Sequence, residues 1–303
     1  MERKNYLLGS ILVIISAMLW GIDGVLLTPR FYNLPTTTVV LILHLMPFIL
    51  MSIFFYKEYK NLGKFQLKDY IGFGLIGLFG GALGTLAIVK AFFLVNFQQL
   101  TVVVFLQKLQ PVFAIILAKI ILRERLGKNF GIWAALALLG SYGLTFGLGL
   151  PHFKVDNYSL AAFYSITAAF SFGASTVFGK FVLQKWNFRT ALFYRYGFTT
   201  VIMVIIIALS KDTFAIKEVT KNNWIIFTII TFTTGALAIA LYYYGLKFIS
   251  AHVSTICELA FPITSATLDY FINHTHLTIV QVLSAILMFL SIYRISRIQS
   301  QEA

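Results

Sequence analysis

The sequence predicts an all-α integral membrane protein of ten transmembrane helices, arranged as two five-helix repeats of opposite orientation. Three observations carry this expectation. The 303-residue chain is 59% hydrophobic with a mean hydropathy of +0.84, and only 12% of its residues are charged, about half the share of an ordinary soluble domain. Ten apolar runs have about the 20 residues that a helix needs to cross the hydrocarbon core. The chain also matches itself at a constant shift of 151 residues without a gap.

The runs are Leu8–Leu27, Thr37–Tyr56, Tyr70–Leu94, Leu100–Leu122, Gly131–Leu150, Tyr158–Phe181, Ala191–Leu209, Trp224–Leu246, Val253–Ile272 and Leu277–Ile295. The first follows Met1-Glu2-Arg3-Lys4, which resembles the head of a signal peptide. It is long enough to span, and no Ala-x-Ala-like site follows, so an uncleaved first helix is expected. Most connections are short, which favours antiparallel neighbours. Only the tail Arg297–Ala303 is expected to be disordered. The one cysteine, Cys257, lies inside a run, which excludes an intrachain disulfide.

The net charge of +13 sits at the ends of the runs, where it reads as a topology signal and not as a nucleic-acid face. With the N-terminus in the cytoplasm, Arg30, Lys154, Lys211, Lys217 and Lys221 fall outside and fifteen other Lys and Arg fall inside. Both termini are therefore expected in the cytoplasm of a multi-pass cell-membrane protein.

At the 151-residue shift Gly84 meets Gly235, Ala87 meets Ala238, Phe97 meets Phe248, Pro111 meets Pro262, Ala134 meets Ala285 and Tyr142 meets Tyr293. Residues 1–150 and 151–303 then form one repeat each. Five helices is an odd number, so the halves must enter the membrane from opposite sides, as in many secondary transporters.

Two equivalent stretches stand out, Leu106-Gln107-Lys108-Leu109-Gln110-Pro111 and Cys257-Glu258-Leu259-Ala260-Phe261-Pro262. Each puts polar groups and a proline inside an apolar run. Pro111 should free the carbonyl of Gln107, and Pro262 that of Glu258. In hydrocarbon such groups are tolerated only where protein, water or a ligand satisfies them. Two polar, broken helices at matching positions point to a binding site near the bilayer midplane.

The passage from Pro111-Val112-Phe113-Ala114 to Arg123-Glu124-Arg125-Leu126, followed by Gly131, Gly140 and Gly143, resembles the drug/metabolite transporter superfamily in its EamA-type, ten-helix form. Trp20-Gly21, Gly173 and Arg195 fit the same pattern. The likeness covers nearly the whole chain. Two positions depart from it: His44 stands where many relatives carry arginine, and Thr275 stands opposite Glu124. The resemblance implies a carrier of amino acids, amines, nucleotide-related compounds or drugs.

Ionisable groups inside spans are functional candidates. Lys108 and Glu258 lie close to the midplane, as the two poles of a zwitterion site or as a structural ion pair. Asp23 is an amine or proton site, or a partner of Lys90 or Lys108. Arg195 binds a carboxylate or caps freed carbonyls, and His44, its repeat equivalent, titrates or simply packs. Of Tyr242-Tyr243-Tyr244, one or two can face the centre, with Tyr244 taken as a stacking residue beside the alternative of an interfacial belt. Lys90 and Lys119 are expected to snorkel, and Asp269 to be interfacial. The candidate substrate site is thus Gln107, Lys108, Glu258, Asp23, Arg195 and Tyr244.

No His-Glu-x-x-His, Gly-x-Ser-x-Gly or nucleotide-binding loop occurs, and His274 and His276 are too few for a metal site. No cofactor is expected, and proton coupling is an open alternative with the coupling ion unassigned. The partners are a small-molecule substrate and membrane lipids, without nucleic acid. The expectation is a non-enzymatic secondary active transporter, exchanger or facilitator of small polar or zwitterionic metabolites, working by alternating access. The alternative is an exporter of organic cations, amines or drugs, with an intramembrane enzyme or a channel more remote.

Overall fold

The computed structural model describes residues 2–95, 100–149, 158–210, 214–272 and 276–302, and among these no strand occurs. Lys154, Lys211, His274 and Thr275 lie outside the described residues. The elements are α1 (Lys4–Phe31), α2 (Thr36–Phe54), α3 (Leu67–Leu94), the half-helices α4a (Leu100–Gln107) and α4b (Gln110–Leu117), α5 (Phe130–Phe146), α6 (Tyr158–Leu183), α7 (Phe188–Leu209), α8 (Lys221–Leu246), the half-helices α9a (Ala251–Cys257) and α9b (Ala260–Ile272), and α10 (Ile279–Glu302). Eight paths are long and apolar enough to cross a membrane: α1, α2, α3, α4, α6, α7, α8 and α10. The other two expected runs also form helix but differ in length. Helix α5 has 17 residues, about 25 Å at 1.5 Å per residue, and α9 is interrupted at Glu258-Leu259. The chain from Ile279 to Glu302 is one helix, so the described part of the tail is helical and not irregular.

Three of the long helices change pitch where they face the centre. Asp23–Leu27 in α1, Ile76–Leu83 in α3 and Thr231–Gly235 in α8 are π-helical. Such wide turns release carbonyls from the ordinary ladder and recur at functional sites. The last two are near-equivalent in the repeats.

The most extensive packing joins α5 to α10, α3 to α6, α1 to α8, α1 to α9b, α4b to α6 and α2 to α7. Helix α3 also packs extensively against α7, whereas the contact five places along, α8 against α2, is much smaller. Close packing at two of these contacts requires glycine. A methyl on Gly21 would lie 2.9 Å from the Phe261 carbonyl oxygen, and one on Gly173 would lie 3.0 Å from that of Gln110. Gln110 and Phe261 stand 151 residues apart, the shift at which the sequence matches itself, and each glycine lets a helix lie against one of the two breaks.

Hydrogen bonds tie the connections together at two ends. At the basic end, Lys185 pairs with Asp69 at 2.5 Å. Lys180 donates to the carbonyls of Leu246 and Lys247 at 2.9 and 3.1 Å. Just past the end of α4, Glu124 accepts from the backbone N–H of Ala251 at 2.9 Å and from His252 Nδ1 at 2.6 Å. At the far end, Asn223 bonds Asn33 and the Arg30 carbonyl, and Thr38 accepts from the Ala215 N–H. The largest hydrophobic core, including Tyr6, Phe73, Phe130, Tyr194, Leu246 and Val253, fills the basic half of the bundle. The other half holds smaller apolar clusters around a hollow.

Candidate functional site

The hollow is a cavity of about 210 Å³ between α1, α2, α3, the two breaks, α6, α7 and α8. Each break is a short tightened turn. Lys108 N–H reaches the Val104 and Phe105 carbonyls at 2.9 and 3.0 Å, and Leu109 N–H reaches Leu106 at 3.2 Å. In the second break Leu259 N–H bonds the Ile256 carbonyl at 3.1 Å. The Glu258 carbonyl, expected to be free, accepts from the Phe261 N–H at 3.1 Å. A 3₁₀-type bond has replaced the one that Pro262 cannot make.

Gln107, Lys108, Glu258, Asp23 and Arg195 all line this cavity, together with His44. The two central charges are held very differently. Glu258 accepts from Gln110 Nε2 at 2.8 Å and from Tyr242 Oη at 3.0 Å. The Tyr242 hydroxyl in turn pairs with Thr176 Oγ1 at 2.6 Å. Lys108, 96% buried by its 4% relative exposure, makes no direct ion pair with it. Among the described residues the ion pairs are Lys185 with Asp69 and His252 with Glu124. The Lys108 ammonium instead lies 4.1 Å from the centre of the Phe261 ring, where the ring's negative face attracts it. It makes no hydrogen bond among the described residues, so its donors point at the cavity.

Arg195 is committed to the scaffold. Its Nη2 donates to the Gly80 carbonyl at 3.0 Å and its Nη1 to Ser175 Oγ at 3.2 Å, while Nε has no partner. Gly80 sits in the π-helical stretch of α3, so the guanidinium satisfies a carbonyl that the wide turn released. Trp20 does the same for α8, donating Nε1 to the Thr234 carbonyl at 3.1 Å. His44 bonds the Val40 carbonyl one turn back at 2.8 Å. Asp23 accepts from Thr28 Oγ1 at 3.1 Å and forms no ion pair with Lys90 or Lys108. Lys90 is exposed beside the Tyr164 ring, and Lys119 is exposed as well.

Tyr244 is the exception among the expected site residues. It is 37% exposed on the outer face of α8, against Phe188 and Phe248. Tyr242, two residues and about 200° earlier on the helix, takes the inward position. Its ring lies 5.4 Å from that of Trp20. Gln110, Trp20, Thr176 and Phe261 also belong to the site. The first is a polar residue next to the proline and was visible as such, whereas apolar aromatics in an apolar run carry no distinguishing signal.

Comparison with known proteins gives three findings. The model of the EamA-like transporter family matches residues 7–146 and 159–297. The riboflavin transporter ImpX of Fusobacterium nucleatum subsp. nucleatum (strain ATCC 23726 / VPI 4351) is 53% identical over 296 residues, covering 97% of this chain and 99% of that protein. A solved crystal structure superposes with a TM-score of 0.70 at 14% identity, covering 97% of this chain and 99% of the other. This last likeness concerns the fold alone.

Proposed function

The chain belongs to the EamA-like transporter family and is a multi-pass membrane transporter, not an enzyme; from that premise we propose that it carries riboflavin or a closely related flavin. The observation that carries this reading is the 53% identity, over nearly the full length of both chains, to a protein named for riboflavin transport. The cavity suits such a molecule. A tricyclic flavin ring offers flat apolar faces, which Trp20, Phe172, Tyr196 and Phe261 can contact, and stacking of this kind adds to area burial. Its pyrimidine edge offers carbonyl acceptors and an N–H, matching the free donors of Lys108 and the amide of Gln107. A zwitterion fits less well, because the Glu258 carboxylate already accepts from two internal donors, whereas the Lys108 ammonium has no acceptor among the described residues.

The proposal includes ten spans in two inverted repeats, 1–150 and 151–303, with both termini on the cytoplasmic side of the cell membrane. The larger core of the basic half and the cavity in the far half then represent an outward-facing conformation. Transport would proceed by rocking one repeat against the other around the breaks. Asp23, inside the cavity and hydrogen-bonded by Thr28 without a cation in contact among the described residues, is the group on which proton coupling would act.

The test is uptake of labelled riboflavin into proteoliposomes holding the purified protein. Saturation, counterflow and competition by unlabelled riboflavin, but not by amino acids, are expected. Amino-acid uptake without riboflavin uptake would replace this reading with the zwitterion one.

A further inference from the structure

The connection between α2 and α3 is an ordered helix at the basic end of the bundle. Tyr56–Lys64 is a 3₁₀ helix, in which residues three apart lie above one another. The segment therefore carries three stripes. Glu58 and Asn61 form the first, and it faces the protein. The Glu58 carboxylate accepts from Thr190 Oγ1 at 2.6 Å and from Asn61 Nδ2 at 2.8 Å, and the Glu58 carbonyl accepts from Tyr194 Oη at 2.8 Å. Lys57 and Lys60 form the second, which is exposed and runs on to Gly63, where a side chain would meet open space. Tyr56, Tyr59 and Leu62 form the third and are exposed, with Tyr59 resting edge-on against the Phe193 ring. A helix with one face bound to protein, one cationic and one aromatic suits the layer where a membrane meets water.

The cations around it lack counter-charge. Lys64 and Lys68 follow along the chain, and Arg189 joins from the start of α7; all three are exposed. The α6–α7 turn is fastened to the α2–α3 connection by Lys185 and Trp186, which both donate to Asp69, and by the Trp186 ring 4.9 Å from that of Phe65. Both carboxylates of these segments are thus already used, Glu58 by Thr190 and Asn61, and Asp69 by Lys185, Trp186 and the Gln66 N–H. Lys57, Lys60, Lys64, Lys68 and Arg189 make no ion pair among the described residues. Each such cation near an anionic lipid surface contributes roughly fivefold in affinity. Beside them Phe54, at the end of α2, and Leu67, at the start of α3, are exposed apolar residues on helices long enough to span.

We propose that the α2–α3 connection is a binding site for an anionic phospholipid, whose phosphodiester lies on the Lys57–Lys60 stripe among Lys64, Lys68 and Arg189 and whose acyl chains reach the exposed ends of α2 and α3. A soluble polyanion could use the lysines but would leave the Tyr56–Leu62 stripe in water. A zwitterionic headgroup would bring its own ammonium up to the same cations. The inference is independent of the substrate reading.

Binding of acyl-labelled phosphatidylglycerol to the purified full-length protein in neutral detergent tests it, with unlabelled phosphatidylglycerol, phosphatidylcholine and glycerol 1-phosphate as competitors. Phosphatidylglycerol should compete at least about tenfold better than phosphatidylcholine, and glycerol 1-phosphate should not compete at the same concentration. Raising salt from about 0.05 to about 0.5 M should cut the preference at least about threefold. Combined Lys57→Gln, Lys60→Gln and Lys64→Gln should remove the preference. Combined Arg30→Gln, Lys217→Gln and Lys221→Gln, the same loss of charge at the far end, should keep it. No preference in the parent, or one that salt leaves unchanged, would overturn the proposal without recourse to any variant. A preference retained by the first combined variant, or lost equally in both, would overturn the site. Displacement by glycerol 1-phosphate at lipid concentrations would overturn the lipid as ligand in favour of a free phosphate ester.

Discussion

Lys108→Met separates a ligand-binding lysine from a structural one. A buried ion pair that loses one partner costs about 3–5 kcal/mol, because the other charge is left uncompensated. The structure shows no such pair. Lys108 is held by the face of Phe261, 4.1 Å away, a contact of about 2 kcal/mol when desolvated. Methionine has nearly the same reach, keeps apolar contact with the ring, and removes the several kcal/mol that burying an ammonium costs. The two effects nearly cancel, so the folded protein should be as stable as the parent or slightly more so. Substrate binding behaves differently. A charge-assisted hydrogen bond contributes about 1.5–3 kcal/mol, so riboflavin affinity should fall about ten- to hundredfold. The assay is paired: thermal unfolding in detergent without ligand, and riboflavin binding on the same sample. A Tm within about 5 °C of the parent with the affinity loss is the expected result. A fall of roughly 10 °C, restored by adding Glu258→Gln, would refute the reasoning and return Lys108 to a structural pair.

Three further predictions concern the scaffold. Burial pushes the Glu124 carboxyl up, but the bonds from His252 and the Ala251 N–H outweigh it and hold the carboxyl below its ordinary value of 4.5. Its contribution to stability is therefore full above that value and is lost as pH falls through the lower folded one. The Tm gap between parent and Glu124→Gln should be widest above about pH 5 and should close in acid, as a pH series of melting curves will show. Asp69 accepts from Lys185, Trp186 and the Gln66 N–H, so Asp69→Ala should cost about 2–3 kcal/mol, seen as a Tm loss that Asp69→Asn recovers in part. Gly21→Val should reduce folded yield sharply, since even a methyl would lie 2.9 Å from both the Phe261 carbonyl and Thr264 Cβ; Gly74→Val, at an open position, is the control.

The breaks were legible in the sequence because polarity and proline inside an apolar run are costly, and the cost must be met somewhere. Lys108, Gln107 and Glu258 do face one cavity. What each does there was not legible, because a side chain's partner depends on sub-ångström placement of other helices. Gln110, not Lys108, reaches Glu258. Arg195 was legible as a buried cation, and its target, the Gly80 carbonyl, became available only because α3 widens at Ile76–Leu83. No residue pattern in that Gly-rich stretch announces a π-helical turn. Tyr244 rather than Tyr242 was singled out because three consecutive tyrosines fix no phase; at about 100° per residue, the choice among them requires the rotation of the helix.

The 151-residue self-match of the sequence gives a reason for the unequal treatment of the two charges. Under the 151-residue shift Gln107 corresponds to Glu258, Lys108 to Leu259 and Gln110 to Phe261. Two side-chain contacts cross between the breaks, Gln110 to Glu258 and Lys108 to Phe261. Position 110 and its equivalent 261 therefore make both crossings, each time to the polar centre of the opposite break. Chemistry has diverged on a shared frame: one crossing is a hydrogen bond that satisfies a carboxylate, and the other is a cation over a ring that leaves three N–H donors unused. A symmetric pair of breaks would present a ligand with two like ends. This pair presents a satisfied, rigid side at Glu258 and an unsatisfied, donating side at Lys108, and so favours a substrate whose acceptors lie on one edge.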